Sequence, residues 1–221
     1  MLDFNVNFHA SICIGGNIYI DPYHIKTQPK NAGFVLITHE HGDHFSVKDI
    51  KKVINENTII VGGTNVVKGL AGEGIKNKTV DLGAIGKFGQ VYSGQGVKIT
   101  TFPAYNIDKF RSAGVPFHKK DVNFVGYVIE TGDTKYCVCG DTDFTPELQA
   151  VKCDVLFVPI GGRFTMTAEE AAKCANAIKP KIAVPVHYQV RGVGGMFLGG
   201  RKAENTFKDN LSKDIECRTF I

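Results

Sequence analysis

The chain has 221 residues, 43% of them hydrophobic and 22% charged, which is globular usage and excludes a disordered or fibrous protein. Its net charge of +4 permits an anionic substrate, but without a clustered basic patch it does not point to nucleic acid. No apolar run approaches the roughly 20 residues that span a bilayer, and Met1-Leu2-Asp3-Phe4 lacks the charged and apolar blocks of a secretory signal, so a cytoplasmic protein without a membrane segment is expected.

The first residues alternate apolar and polar in short pieces: Phe4, Val6, Phe8, then Ile12, Ile14, then Ile18, Ile20. Gly15-Gly16-Asn17 between the last two pieces reads as a hairpin turn, and Asp21-Pro22 ends the strand. Residues 34–38 read as a buried strand, followed at once by a histidine-rich loop. In 46–55 the apolar positions Val47, Ile50, Val53 and Ile54 have helical spacing, with Ser46 as N-cap. Strand patterns recur at 58–61, 78–82, 97–102, 123–130 and 135–139. The loop 104–121 is long for a compact domain, a length that usually signals function. The last third alternates: strand 155–159, helix 167–178 opened by a Thr167/Glu170 capping box, strand 181–186, helix 201–211 and a closing strand 215–220. There is no repeat period and no linker, so residues 1–221 are expected to form one α/β domain, two sheets flanked by helices. Cys13, Cys137, Cys139, Cys153, Cys174 and Cys217 are scattered through apolar segments, the usage of reduced thiols rather than a disulfide framework.

Of seven histidines, His39, His41 and His44 fall within six residues, with Asp43 among them. Imidazole suits zinc, iron or manganese, and a carboxylate adds a hard anionic ligand. On extended backbone His39 and His41 lie on one side and can grip one ion, while Gly42 permits a turn that presents Asp43 and His44 to a neighbouring position. So many donors exceed what one catalytic ion takes from a local segment, which suggests two adjacent ions. Asp141, after Gly140, and His187, after Val186, each follow a predicted strand and are further candidates, because paired ions need a bridging carboxylate and ligands from several segments.

The string Thr38-His39-Glu40-His41-Gly42-Asp43-His44 resembles the HxHxDH signature of the metallo-β-lactamase fold superfamily. Gly140-Asp141-Thr142 resembles its later Gly-Asp motif, and Pro185-Val186-His187-Tyr188 its final histidine strand. His9-Ala10-Ser11, Tyr19-Ile20-Asp21-Pro22, and Pro159-Ile160-Gly161-Gly162 with the helix that follows are similar to the branch of ascorbate-6-phosphate lactonase-like metal-dependent hydrolases. The resemblance implies a four-layer αββα sandwich with the site at one edge of the paired sheets. It also implies His39 and His41 as ligands of a first ion, Asp43, His44 and His187 of a second, and Asp141 as the bridge. Asp21, Thr142 and Asp143 are implied as orienting partners. One departure stands out: the family's third histidine on the first ion comes from a segment that here reads Phe102-Pro103-Ala104-Tyr105-Asn106. Either Tyr105 or Asn106 replaces it, or His118 reaches in from the long loop, or the protein works with a single ion.

The implied activity is attack by a metal-bound hydroxide on a small ester, lactone, amide or phosphodiester, with Asp43 and Asp141 holding the nucleophile and no serine or cysteine nucleophile required. Zn2+ is the implied cofactor, as one or two ions, with Mn2+ or Fe2+ as alternatives. Lys119, Lys120, Arg163 and Arg191 border the site and read either as recognition of an anionic substrate or as solvated cations. The glycine-rich run 191–200 reads as a flexible rim or as a lid carrying Met196 and Phe197. The rival functions are a nuclease-type phosphodiesterase of the same fold and a non-catalytic metal-binding protein. Redox members of the fold carry an HxExD pattern, with a carboxylate where this chain has His41, so oxygen chemistry is disfavoured.

Overall fold

The alternating pieces at the start of the chain pair with one another. Strands β1 (Phe4–Phe8), β2 (Ser11–Ile14) and β3 (Ile18–Ile20) form an antiparallel meander, and Gly15 and Gly16 turn the second hairpin with φ of 59° and 72°. The chain continues through β4 (Phe34–Leu36), α1 (Val47–Val53), β5 (Ile59–Gly62), α2 (Thr64–Gly72) and β6 (Lys78–Asp81). These strands add in parallel, giving a six-stranded sheet in chain order from β1 to β6.

The second sheet begins with β7 (Val91–Gly94) and β8 (Val97–Pro103). A small hairpin follows, β9 (Phe110–Ser112) with β10 (Val115–Pro116), and then β11 (Val125–Thr131) and β12 (Thr134–Val138). Next come α3 (Pro146–Gln149), β13 (Val155–Pro159), α4 (Ala168–Ile178) and β14 (Ile182–Val186). A second small hairpin, β15 (Arg191–Gly192) with β16 (Met196–Phe197), precedes α5 (Gly200–Asn210) and β17 (Glu216–Cys217). Seven strands join in the order β17-β14-β13-β12-β11-β8-β7, parallel from β17 to β12 and antiparallel beyond. The computed structural model describes residues 3–83, 88–189, 191–192, 196–197 and 199–220, with the backbone alone for 191–192 and 196–197.

The two sheets bury their facing sides against each other. Ile12, Ile14, Ile20, Leu36 and Val61 of the first meet Ile99, Tyr127, Ile129, Phe157 and Val184 of the second. Each such fully buried side chain contributes about 1.5–3 kcal/mol. The outer face of the first sheet is covered by α1 and α2 through Ile50, Val53, Val66 and Leu70. Helices α3, α4 and α5 cover the second through Leu148, Ala171, Cys174, Ala175, Ile178 and Phe207. The layers therefore run α/β/β/α. Strands β4, β5, β13 and β14 are buried on both faces and so read as unbroken apolar runs, whereas β12 splits Tyr136 and Val138 inward from Cys137 outward. The six cysteines are free thiols, and burial pushes the pKa of Cys137, Cys139 and Cys174 up. Among the described residues no helix is long and apolar enough to cross a membrane.

Predicted caps form as expected: Ser46 caps α1, and Thr167 with Glu170 makes the capping box of α4. Three elements depart from the local pattern. Helix α2 has no side-chain cap and contains Gly69 and Gly72, both poor helix formers. Gly69 is tolerated because a Cβ there would lie 3.1 Å from the Phe45 ring. The closing strand shortens to β17, and the long loop 104–121 folds part of itself into the β9–β10 hairpin.

Candidate metal centre

Parallel strands deliver their C-terminal ends to one edge, and that edge gathers most of this protein's histidines together with several buried carboxylates. Asp21 follows β3, Thr38 to His44 follow β4, Asp141 follows β12 and His187 follows β14; His9 comes from the β1–β2 turn. Left-handed backbone concentrates here: His9 (φ 56°), Asp21 (45°), Gly140 (65°) and His187 (62°). Such conformations cost free energy and persist where the surrounding structure imposes them. Gly140 is required twice over, because a Cβ would also sit 3.0 Å from the Val125 carbonyl oxygen.

Two groups of side chains meet across Asp141. In the first, His39 Nε2 lies 3.0 Å from His41 Nδ1, and His118 completes a triad whose ligand atoms lie within 4.8 Å of one another. Asp141 Oδ2 is 3.3 Å from His118 Nε2 and 3.9 Å from His39 Nε2. In the second, Asp43 Oδ2 lies 3.6 Å from His187 Nε2 and 3.7 Å from His44 Nε2. Asp141 Oδ1 is 3.2 Å from His187 Nε2 and 3.3 Å from His44 Nε2. His9 joins this second group, its Nε2 3.3 Å from Asp43 Oδ2 and its ring 3.8 Å from that of His187.

A layer of partners behind these rings fixes which nitrogen faces inward. Asp21 Oδ2 accepts from His44 Nδ1 at 2.7 Å and from the Thr38 hydroxyl at 2.6 Å. That hydroxyl in turn lies 3.0 Å from His39 Nδ1, from which it accepts. Asn106 Oδ1 accepts from His118 Nδ1 at 2.9 Å. With Nδ1 of His39, His44 and His118 engaged by these partners, each Nε2 faces the site, the orientation of metal-binding imidazoles.

Burial and charge act in opposite directions on these groups. Burial holds His39 well below the usual histidine range and brings His118 and His9 down to about 4. Burial also opposes charge on His44 and His187, but Asp141 outweighs it, raising His44 well above the ordinary value and His187 to about 9. For Asp43 and Asp141 burial pushes upward, and the surrounding histidines more than reverse it, so both remain carboxylates. His44 Nε2, His187 Nε2 and Asp141 Oδ1 are buried without a hydrogen-bond partner among the described residues, although they lie close together. Buried polar atoms left unpaired are costly, and two imidazole nitrogens facing a carboxylate oxygen are a donor set that a divalent cation takes as the rings lose their extra protons. The residues present fit such an ion.

The structure thus brings together His39, His41, Asp43, His44, Asp141 and His187, and adds His118. Tyr105 points elsewhere: its hydroxyl bonds Glu147 at 2.8 Å, and Lys120 pairs with the same carboxylate. Asn106 stands behind His118. Asp143 accepts from Asn106 Nδ2 at 3.1 Å and from the Ile107 and Asp108 amides, while Thr142 bonds the Tyr105 backbone. Arg163 is exposed, with its guanidinium 5.6 Å from the Phe164 ring centroid. The sequence motifs do not mark His9 as a ligand; its one local signal is the His9-Ala10-Ser11 pattern. The lid expectation for 191–200 rests on Met196 and Phe197 side chains and on 193–195 and 198, which lie outside the described residues.

A family model described as "Beta-lactamase superfamily domain" matches residues 8–187. A UPF0173 metal-dependent hydrolase of Methanobrevibacter smithii is 31% identical over 187 residues, covering 79% of this chain and 74% of the relative. A UPF0173 protein of Pyrococcus abyssi is 30% identical over 193 residues, covering 84% and 83%. The crystal structure of a candidate metal-dependent hydrolase from Parabacteroides distasonis superposes with a TM-score of 0.76 at 29% identity, covering 99% of this chain and 92% of that one. With its αββα layers and its edge-of-sheet histidine cluster, the chain belongs to the metallo-β-lactamase superfamily.

Proposed function

We propose that this protein is a hydrolase of small esters, lactones or phosphodiesters, with two divalent ions held by the side chains gathered around Asp141. His39, His41 and His118 would hold one ion, and Asp43, His44 and His187 the other, with one Asp141 oxygen turned to each. The imidazole-rich, thiol-free donor set favours zinc, with manganese or iron as the alternatives of similar chemistry. Such a pair, when bound, activates water near neutral pH and polarises the bond under attack. The protein's own residues supply the rest. Asp21, Thr38 and Asn106 hold the imidazoles in one tautomer, so that the donor atoms need no rearrangement when the site fills. Asp43, the most solvent-exposed carboxylate of the cluster, is placed to orient the attacking water and accept its proton. Phe124 packs against His39, His41 and His118 and shields one flank of the site from water.

The observation that carries this reading is the position of Asp141, within 4 Å of histidines from both groups. Metal analysis combined with turnover of ester, lactone and phosphodiester substrates tests it. The wild type is expected to hold about two ions per chain, and Asp141→Asn to lose metal and at least about a hundredfold in kcat/KM. Metal content with no turnover dependent on Asp141 would leave a metal-binding protein instead.

A further inference from the structure

The segment that carries His118 into the cluster also builds a cleft beside it. A cavity of about 300 Å³ is walled by Val115, Phe117, Val122 and Phe124, and His41 lines it as well, so it opens onto the proposed metal centre. Two cations, Arg111 and Lys119, stand in its lining. Neither has a hydrogen bond or ion pair among the described residues, in contrast to Lys109, paired with Glu170, and Lys120, paired with Glu147. The one carboxylate in the lining, Glu40, accepts from Asn65 Nδ2 at 3.0 Å. Apolar surface is also concentrated here: among the described residues four large hydrophobic side chains are exposed, and Ile107, Phe110 and Val115 all belong to this segment. Its base is clamped by the bond from Phe117 N to Lys109 O at 3.1 Å and by the edge-to-face contact of Phe117 with Phe164. Apolar walls with a few fixed charged groups are the makings of a small-molecule subsite.

We propose that this cleft is the recognition subsite for the non-reacting part of the substrate, an apolar body ending in an oxyanion that Arg111 and Lys119 bind. Naming its occupant as substrate rests on the hydrolase reading; the binding itself does not. Arginine fits carboxylate and phosphate geometry with two parallel hydrogen bonds, while lysine adds an unpaired point charge. His41 belongs both to the histidine cluster and to the cleft lining, so one small molecule can place its scissile bond at the ions and its apolar tail in the cleft.

Calorimetric titration of the metal-loaded protein with 4-phenylbutyrate, 3-phenylpropylphosphonate and the neutral isostere 4-phenylbutyramide tests the proposal. Wild type is expected to bind at least one of the two anions about tenfold or more tightly than the amide, the weight of a charge-assisted hydrogen bond. Which anion binds better separates a carboxylate substrate from a phosphorylated one. The double variant Arg111→Gln/Lys119→Gln should cut that preference to about twofold or less, with metal content and melting temperature unchanged. Val115→Asp should weaken the binding of all three ligands. Equal binding of anions and amide by wild type, or a preference that survives in the double variant because the ions themselves hold the anion, overturns the proposal. Failure of the hydrolase reading would look different: the charge-dependent binding would persist without turnover of any substrate.

Discussion

Asn106 accepts two hydrogen bonds from His118, from the backbone N–H at 2.8 Å and from ring Nδ1 at 2.9 Å. One amide thereby sets both the position and the tautomer of an imidazole on the far side of a hairpin. Asn106 is held in turn, its Nδ2 donating to Asp143 and to the Phe164 carbonyl oxygen. Asn106→Ala should therefore weaken metal binding by His39, His41 and His118 about 10- to 100-fold while sparing the second group. Competition with a graded series of chelators, read as ions retained per chain, checks this. Parallel loss of both ions would show that the two groups are not separable.

His9 lies against His187 with the rings tilted by 40° and its Nε2 reaches Asp43, an arrangement suited to holding that carboxylate in place. His9→Phe keeps a ring against His187 and removes the bond to Asp43. The expected result is a loss of about tenfold in affinity at the Asp43, His44 and His187 group, with little change in melting temperature. An unaltered metal titration would reduce His9 to packing.

In the metal-free protein, His187 with its pKa near 9 and His44 held well above the ordinary 6.5 both carry protons at neutral pH, beside buried Asp141. Stability from His187 is fully present below pH 6.5 and is lost as pH rises through about 9, and the raised His44 acts in the same direction. His9 and His118, lowered to about 4, change charge relative to the unfolded chain only below 6.5 and do not contribute in that window. The chelated protein should accordingly melt at lower temperature at pH 9 than at pH 6.5. Metal binding on the proposed ligand set must expel these protons, so affinity should fall toward acid, with roughly two protons released on loading at pH 7. Release measured in a weakly buffered titration checks the count.

Gly126 lies in β11, an interior strand of the second sheet, and a Cβ there would stand 2.2 Å from the Phe102 ring. Gly126→Ala must displace that ring and should cost about 1–3 kcal/mol. Thr167→Ala removes one half of the α4 capping box and should cost about 1 kcal/mol. For a chain of this size each kcal/mol lowers the melting temperature by about 2–4 °C. Calorimetric melts of the two variants are expected to rank in that order.

The features with local causes were readable from the sequence. The doubly buried strands β4, β13 and β14, the Thr167 capping box, the Gly15-Gly16 turn and the donor-rich stretch from His39 to His44 each depend on residues a few positions apart. Folding decided what lies between distant segments. Tyr105, Asn106 and His118 were equivalent candidates along the chain, and only the β9–β10 hairpin separates them, turning His118 inward, Asn106 behind it and Tyr105 away to Glu147. The His9-Ala10-Ser11 pattern does not by itself mark His9 as a site residue, because its place beside Asp43 follows from how the β1–β2 turn meets the end of β14, where the His187 amide bonds the His9 carbonyl oxygen. Side-chain periodicity reports which face of an element is buried; which strand ends share an edge is set by the pairing of the two sheets, and the convergence of His9, His118, Asp141 and His187 exists only there.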